Sequence, residues 1–233
     1  MDLKFRKASP NTQMAMSKVA CGEDLEDYHK LAEEKIADLN NHDHASLVNS
    51  GNSSILSVMN AIDGAILIPD QGAWNGFKQI AKFLNKDLIT VRTNKGLIET
   101  EFLHDALEEN KNRIDFEDED NKSALFLTSF AAYTAEQEIS EISKFLHDEN
   151  MLLVEDASGA ISDNKLADGR YSDIIMASTG SPKIVNVGDG GFVSTNDKSI
   201  FEKSRLLFKE SVKIITKMIQ KENRPQNTVY ADN

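Results

Sequence analysis

The sequence predicts an α/β fold, a three-layer αβα arrangement around a mainly parallel sheet. Three observations carry that prediction. Short continuous apolar runs such as Ala65–Pro69 read as strands buried on both faces. Segments with helical periodicity separate them, and strand and helix alternate at least four times before residue 160. That alternation implies βαβ units with right-handed crossovers. At 233 residues the chain can also bury one large core.

Residues 1–22 lack clear periodicity and read as an N-terminal arm or loop. From Glu23 the pattern turns helical. Leu25, Tyr28, Leu31, Ile36 and Leu39 mark an apolar stripe, and acids crowd the first turn, where the helix dipole favours them. Residues 45–50 read as a strand, Gly51 as a turn residue, and 52–62 as a helix whose Ile55, Leu56, Val58, Met59 and Ile62 face a core. Strand 65–69 follows, then helix 73–84, an extended run at 88–92 and helix 99–110. Residues 111–122, with Asp115, Glu117, Asp118, Glu119 and Asp120, read as a solvated loop. Then come strand 124–129, helix 136–148, and strands 151–155, 173–177 and 191–195. No long helix separates the last two strands, so an antiparallel pair is expected there. A long helix over about 198–221 and a polar tail follow. The expected organisation is an arm (1–22), a large domain (23–197) and a helix with its tail (198–233).

Lys and Arg number 26 against 38 Asp and Glu, a net charge of −12. Nucleic acid and anionic membrane both select basic patches, so neither is expected as the main partner. No apolar run reaches the roughly 18 residues of a membrane helix, and the N-terminus has no apolar signal segment. Cys21 is the single cysteine, which excludes an internal disulfide and a cysteine-based metal site. A cytoplasmic location is the simplest expectation.

In an open parallel sheet, ligands bind beyond the carboxyl ends of the strands. After strand 45–50 comes Ser50-Gly51-Asn52-Ser53-Ser54, opening a helix. Its free amides suit a phosphate, although such a cluster is more often a plain cap. After strand 151–155 comes Glu155-Asp156-Ala157-Ser158, an acid followed by small residues that would let a ring pack closely. The alternative is an ordinary loop carboxylate. After strand 173–177 comes Ser178-Thr179-Gly180-Ser181-Pro182-Lys183, then Gly188-Asp189-Gly190-Gly191. Small uncharged neighbours could make Lys183 a usable amine nucleophile; alone it would read as a surface lysine. His42 and His44 read as loop residues rather than a metal pair, and no metal site is expected. His29, His104 and His147 read as surface or boundary positions.

The order of these pieces resembles the pyridoxal-phosphate enzymes of fold type I, and within them the DegT/DnrJ/EryC1/StrS group of sugar-aminotransferase-like proteins. That group carries Ser-Gly-Thr-x-Ala, Glu-Asp-Ala-Ala-Gln, and Ser-x4-Lys followed by Gly-[Glu/Asp]-Gly-Gly. The counterparts here are Ser50–Ser54, Glu155–Gly159, and Ser178 and Lys183 with Gly188–Gly191. The resemblance covers about residues 24–210, and the Lys segment is its most specific part. It implies the large domain of a pyridoxal-phosphate-dependent transferase, with pyridoxal 5'-phosphate as cofactor. Lys183 would hold the cofactor aldehyde as an aldimine and serve as general acid and base. Asp156 would pair with the pyridinium nitrogen and Ala157 would lie against a ring face. Gly51, Asn52, Ser53 and Ser178 would hold the phosphate, and Trp74 would cover the other ring face. Amino-group transfer to a keto-sugar or similar carbonyl is the implied activity, and a homodimer the implied assembly.

The chain also departs from the group's pattern. Gly159 stands where the group has Gln, Asn52 where it has Thr, and Trp74 lies one residue later than the group's aromatic. Relatives are longer and add a small domain after the helix that follows the Lys, so the expectation is that most of this small C-terminal domain is missing. Two other functions stay open: another fold-type-I reaction such as a lyase or desulfurase, and a truncated, non-catalytic or regulatory relative.

Overall fold

The computed structural model describes residues 9–23, 25–118, 121–130, 137–161, 167–181 and 183–206. Seven strands form one sheet: β1 (His44–Val48), β2 (Ile66–Pro69), β3 (Leu88–Val91), β4 (Ala124–Phe130), β5 (Leu152–Gly159), β6 (Ile174–Ser178) and β7 (Gly191–Thr195). Between them run α2 (Leu25–Leu39, ahead of β1), α3 (Gly51–Ala61), α4 (Asn75–Phe83), α5 (Thr100–Glu109) and α6 (Ile139–Asp148). Residues 198–206 are helical as well. The three-layer αβα reading is therefore correct, and each expected strand is present, β7 at its expected bounds and the others with one or both ends shifted by one to four residues.

Alternation along the strands sorts the core into two layers. On one face Ile66, Ile68, Phe126, Val154, Met176 and Val193 pack against Val58 and Met59 of α3 and Phe77 of α4. The Phe77 and Phe126 rings meet edge to face, with centroids 5.5 Å apart. On the other face Leu67, Val91, Leu125 and Leu153 pack against Leu103 of α5 and Ile142 and Leu146 of α6. Every residue of β2 and β7 is buried, which is why those segments lack polar alternation.

The strand order is β1-β7-β6-β5-β4-β2-β3. The chain starts at one edge, crosses to build the other half, and returns. Strand β7 is antiparallel to both its neighbours, β1 and β6, as expected for the β6–β7 pair. This reversal places the start of β7 at the same sheet edge as the carboxyl ends of β1, β5 and β6. The Lys183 loop, between β6 and β7, therefore stands on that edge beside the start of α3.

Three expectations need correction. Residues 10–20, read as an arm or loop, form helix α1 (Pro10–Ala20), with a Ser9 cap and Pro in the first turn. It buries no residue, so no apolar periodicity marked it. The stripe assigned to α2 was also rotated: Leu31 and Leu39 are 59% and 49% exposed, while Ala37 is buried and Ile36 packs on the core. The sheet-facing side of α2 includes Glu33, whose Oε1 accepts the Leu47 N–H of edge strand β1 at 3.0 Å. This gives that edge N–H an acceptor. Finally, of the two histidines read as loop residues, His44 opens β1, and His42 lies in the loop before it but is buried. It is 6% exposed, with Nε2 donating to the Ser172 carbonyl at 3.0 Å and Nδ1 2.9 Å from Ser194 Oγ. The extension of the last helix to 221, the polar tail, and the acidic residues Glu119 and Asp120 lie outside the described residues.

Candidate functional site

A cleft of about 490 Å³ opens at the carboxyl edge of the sheet, lined among others by Gly51, Asn52, Trp74, Asp156, Ser178 and Lys183. Six of the eight residues singled out from the sequence thus meet in one place.

The start of α3 forms one wall. Ser50 Oγ accepts the Ser53 N–H at 3.1 Å, and Ser50 O accepts that of Ser54. The amides of Gly51 and Asn52 have no acceptor inside the helix, because the first turn of any helix lacks them. Gly51 sits so close to β6 that a Cβ there would come within 2.6 Å of Ser178 Cβ. Only glycine lets the helix start press against the strand end. Ser53 does not line the cleft: its hydroxyl bonds Asn49 and Ser50 instead.

Asp156 forms the floor. It is 7% exposed, and its Oδ1 accepts the Ser158 hydroxyl at 2.5 Å and the Ser158 N–H at 3.1 Å. Burial pushes its carboxyl above the usual carboxylate range, against the two Ser158 donors and the Lys183 charge, which favour ionisation. Ala157 is not on the cleft. It is fully buried beside Ile175, Ala177 and Phe192 on the opposite face. Successive strand residues alternate, so the small residue sharing the face of Asp156 is Ser158, two positions on. That parity was available in the sequence.

Trp74 forms the rim. Its backbone N–H bonds Thr128 Oγ1 at 3.0 Å, and its indole Nε1–H points at Asn52 Oδ1, 3.4 Å away. The indole folds back over Gly76, where a Cβ would lie 2.4 Å from Nε1. Lys183 Nζ lies 5.9 Å from the centre of this ring. Thr128 and Ile184 also line the cleft and were not singled out from the sequence. Thr128 could have been found, since it pairs with Asp156 across β4 and β5. Pro182, within the Ser-x4-Lys segment, lies outside the described residues.

On the other face of β5, Glu155 is fully buried. Its Oε1 accepts from the Ser129 hydroxyl and the Ala167 N–H, and its Oε2 from the Ser172 hydroxyl at 2.7 Å. Burial raises its pKa against these donors. Among the described residues no group of three or more His, Cys, Asp or Glu is placed to hold a metal ion, and no helix is long and apolar enough to cross a membrane.

A model of the DegT/DnrJ/EryC1/StrS aminotransferase family matches residues 18–224. Among solved structures, DesV of S. venezuelae, in complex with a ketimine intermediate, is 19% identical with a TM-score of 0.67, covering 84% of this chain and 52% of that one. NtdA of Bacillus subtilis, with bound cofactor PMP, is 19% identical with a TM-score of 0.59, covering 76% and 39%. PseC of Helicobacter pylori, an aminotransferase involved in the biosynthesis of pseudoaminic acid, is 18% identical with a TM-score of 0.59, covering 76% and 47%. The chain thus spans about half the length of these structures or less. Among the curated proteins none matches it. The chain belongs to the DegT/DnrJ/EryC1/StrS aminotransferase family.

Proposed function

We propose that the cleft binds pyridoxal 5'-phosphate through Lys183 and that the protein transfers an amino group to a keto-sugar or similar carbonyl. The observation that carries this reading is the meeting of Asp156, Lys183 and the Gly51 helix start around one cleft. The family membership and the PMP in NtdA support it.

The residues fit such a group. The cleft volume lies within the roughly 300–1,000 Å³ of small-molecule sites. The Gly51 and Asn52 amides and the Ser178 hydroxyl offer donors to a phosphate, which the helix dipole also favours. Asp156 offers a carboxylate that would keep a ring nitrogen protonated. When bound, the cofactor supplies an electron sink for negative charge formed beside the reacting nitrogen. Lys183 would attach the cofactor and, once released from it, carry a proton off and onto the reacting carbon as general base and acid. Trp74 would cover the exposed ring face and exclude water. Exposed Ile184, Val185 and Val187, beside Lys183, are apolar surface that a second copy would cover, so the reading includes a homodimer.

The test is reconstitution with the cofactor, a visible spectrum before and after borohydride, and peptide mass mapping. The expected result is a reduced adduct on Lys183. An adduct confined to other lysines, or none at saturating cofactor, refutes the reading. Light scattering at micromolar concentration checks the dimer.

A further inference from the structure

Strands β5 and β6 pair in register from Val154–Ile174 to Asp156–Met176 and no further. Beyond that point they separate, and the gap is the cleft floor. One side chain crosses the gap. Ser158 Oγ accepts the Ser178 backbone N–H at 2.8 Å and donates its own hydrogen to Asp156 Oδ1 at 2.5 Å. The Ser158 amide donates to the same oxygen at 3.1 Å. Ser158 and Asp156 are buried and Ser178 is half-buried; the single hydroxyl hydrogen is committed to the carboxylate and a lone pair to the amide. Among the described residues Oδ1 is taken twice and Oδ2 accepts no hydrogen bond, so Oδ2 is the oxygen left for a ligand.

We propose that Ser158 is a positioning residue, whose hydroxyl fixes the orientation of the Asp156 carboxylate and its distance from Ser178. This rests on the proposed cofactor reading, in which Asp156 meets the ring nitrogen and Ser178 the phosphate, at opposite ends of one rigid molecule. A rigid ligand gripped at both ends is sensitive to the spacing of the grips. The group motif described above has Ala at this position, and a methyl group can neither donate nor accept. In this chain Ser158 therefore supplies a link that the group motif lacks. Its donation also favours the ionised carboxylate, which leaves the proton on the ring nitrogen rather than on Asp156.

The experiment compares the wild-type chain with Ser158→Ala and Ser158→Thr; Ser158→Cys, a weaker donor, replaces the alanine variant if that fails to fold. Three readouts are taken: cofactor affinity from quenching of Trp74, the borohydride adduct on Lys183, and the titration midpoint of Asp156 by carboxyl NMR in the cofactor-free chain. The expected result is an adduct in all variants and about tenfold weaker affinity in Ser158→Ala, the scale of one lost charge-assisted hydrogen bond. The Asp156 midpoint should rise in Ser158→Ala, and threonine should restore both. An adduct in every variant with unchanged affinity and midpoint overturns the positioning role and leaves the cofactor reading standing. Lower thermal stability alone, with neither readout moved, overturns it too. No adduct even in the wild type refutes the cofactor reading. The Asp156 midpoint then decides alone whether Ser158 governs the carboxylate, and an unchanged midpoint overturns that.

Discussion

Glu155 and Asp156 are neighbours in one strand, both carboxylates and both buried, yet they face opposite layers. Glu155 meets three donors, the Ser129 and Ser172 hydroxyls and the Ala167 amide, which use both its oxygens. Among the described residues Asp156 meets two donors, both from Ser158 and both on one oxygen, and it lines a cleft. Burial is therefore not what separates a structural acid from a chemical one. What separates them is whether an oxygen remains uncommitted and where it points. A saturated carboxylate is a strut, and one half saturated at a cleft floor keeps an oxygen free to meet a ligand.

Truncating the strut should have the largest effect on folding. Glu155→Ala would leave three donors in the core without acceptors, each at about 1–3 kcal/mol. We expect a loss of at least about 3 kcal/mol in urea-denaturation experiments, or no folded protein. Glu155→Gln, which can still accept, should lose less. A near-neutral Glu155→Ala would break the contrast between the two acids.

Asp156→Asn should do the opposite. The folded chain holds the Asp156 proton more tightly than the unfolded chain does, because its folded pKa is raised. Ionising Asp156 therefore lowers stability as pH rises through the folded value, and the penalty disappears below about pH 4, where the group is protonated in both states. The asparagine variant escapes it. Its cofactor-free form should melt above the wild type at pH 8 by an amount that shrinks on acidification. On the proposed function, amino-transfer activity should fall by at least about a hundredfold, the scale of losing one preorganised electrostatic partner. Stability gained while activity is lost would mark Asp156 as a residue kept for chemistry.

The strut's network extends to His42, which donates to the carbonyl of the same Ser172 whose hydroxyl bonds Glu155. A carbonyl only accepts, so Nε2 carries the proton and Nδ1 takes the Ser194 hydroxyl. Burial lowers the His42 pKa, opposed by the Ser172 carbonyl and by Asp173, Asp168 and Asp43. A depressed pKa means that the stabilisation is present above about pH 6.5 and is lost as pH falls through the folded value. Thermal melts should therefore decline below pH 6.5, and the decline should be shallower in His42→Gln. An identical slope would remove His42 from the network.

Much of this was legible in the sequence because it rests on local patterns. Apolar runs marked the strands, and Gly51, Asp156 and the Ser178–Lys183 spacing marked the strand ends that meet at the cleft. Helix α1 was invisible because a helix that buries nothing leaves no periodicity. The exposure of Leu31 and Leu39 and the burial of His42 depend on which neighbour the fold brings, and no local pattern carries that. Ala157 was a different kind of error. Period-two parity from Asp156 selects Ser158, whereas the group motif points to its neighbour.

The rim should respond least, and magnitudes say why. The indole Nε1–H to Asn52 contact is 3.4 Å long at an exposed position, and Lys183 Nζ stands 5.9 Å from the ring centre. A long, solvated hydrogen bond lies at or below the low end of about 0.5–1.5 kcal/mol, and an exposed cation–π contact is worth about 0.5–1 kcal/mol. Asn52→Ala should thus weaken cofactor binding only a few-fold, even though it removes the indole's partner. The amide at residue 52, which the proposed function assigns to the phosphate, belongs to the backbone and survives the change. Trp74→Phe keeps an aromatic face and should likewise lose a few-fold in affinity, read from the cofactor's visible absorbance because the only tryptophan is gone. A loss above about fiftyfold in either variant would mean that the rim, rather than the Asp156 floor, dominates binding, and the contrast drawn from β5 would then have placed the chemistry on the wrong wall of the cleft.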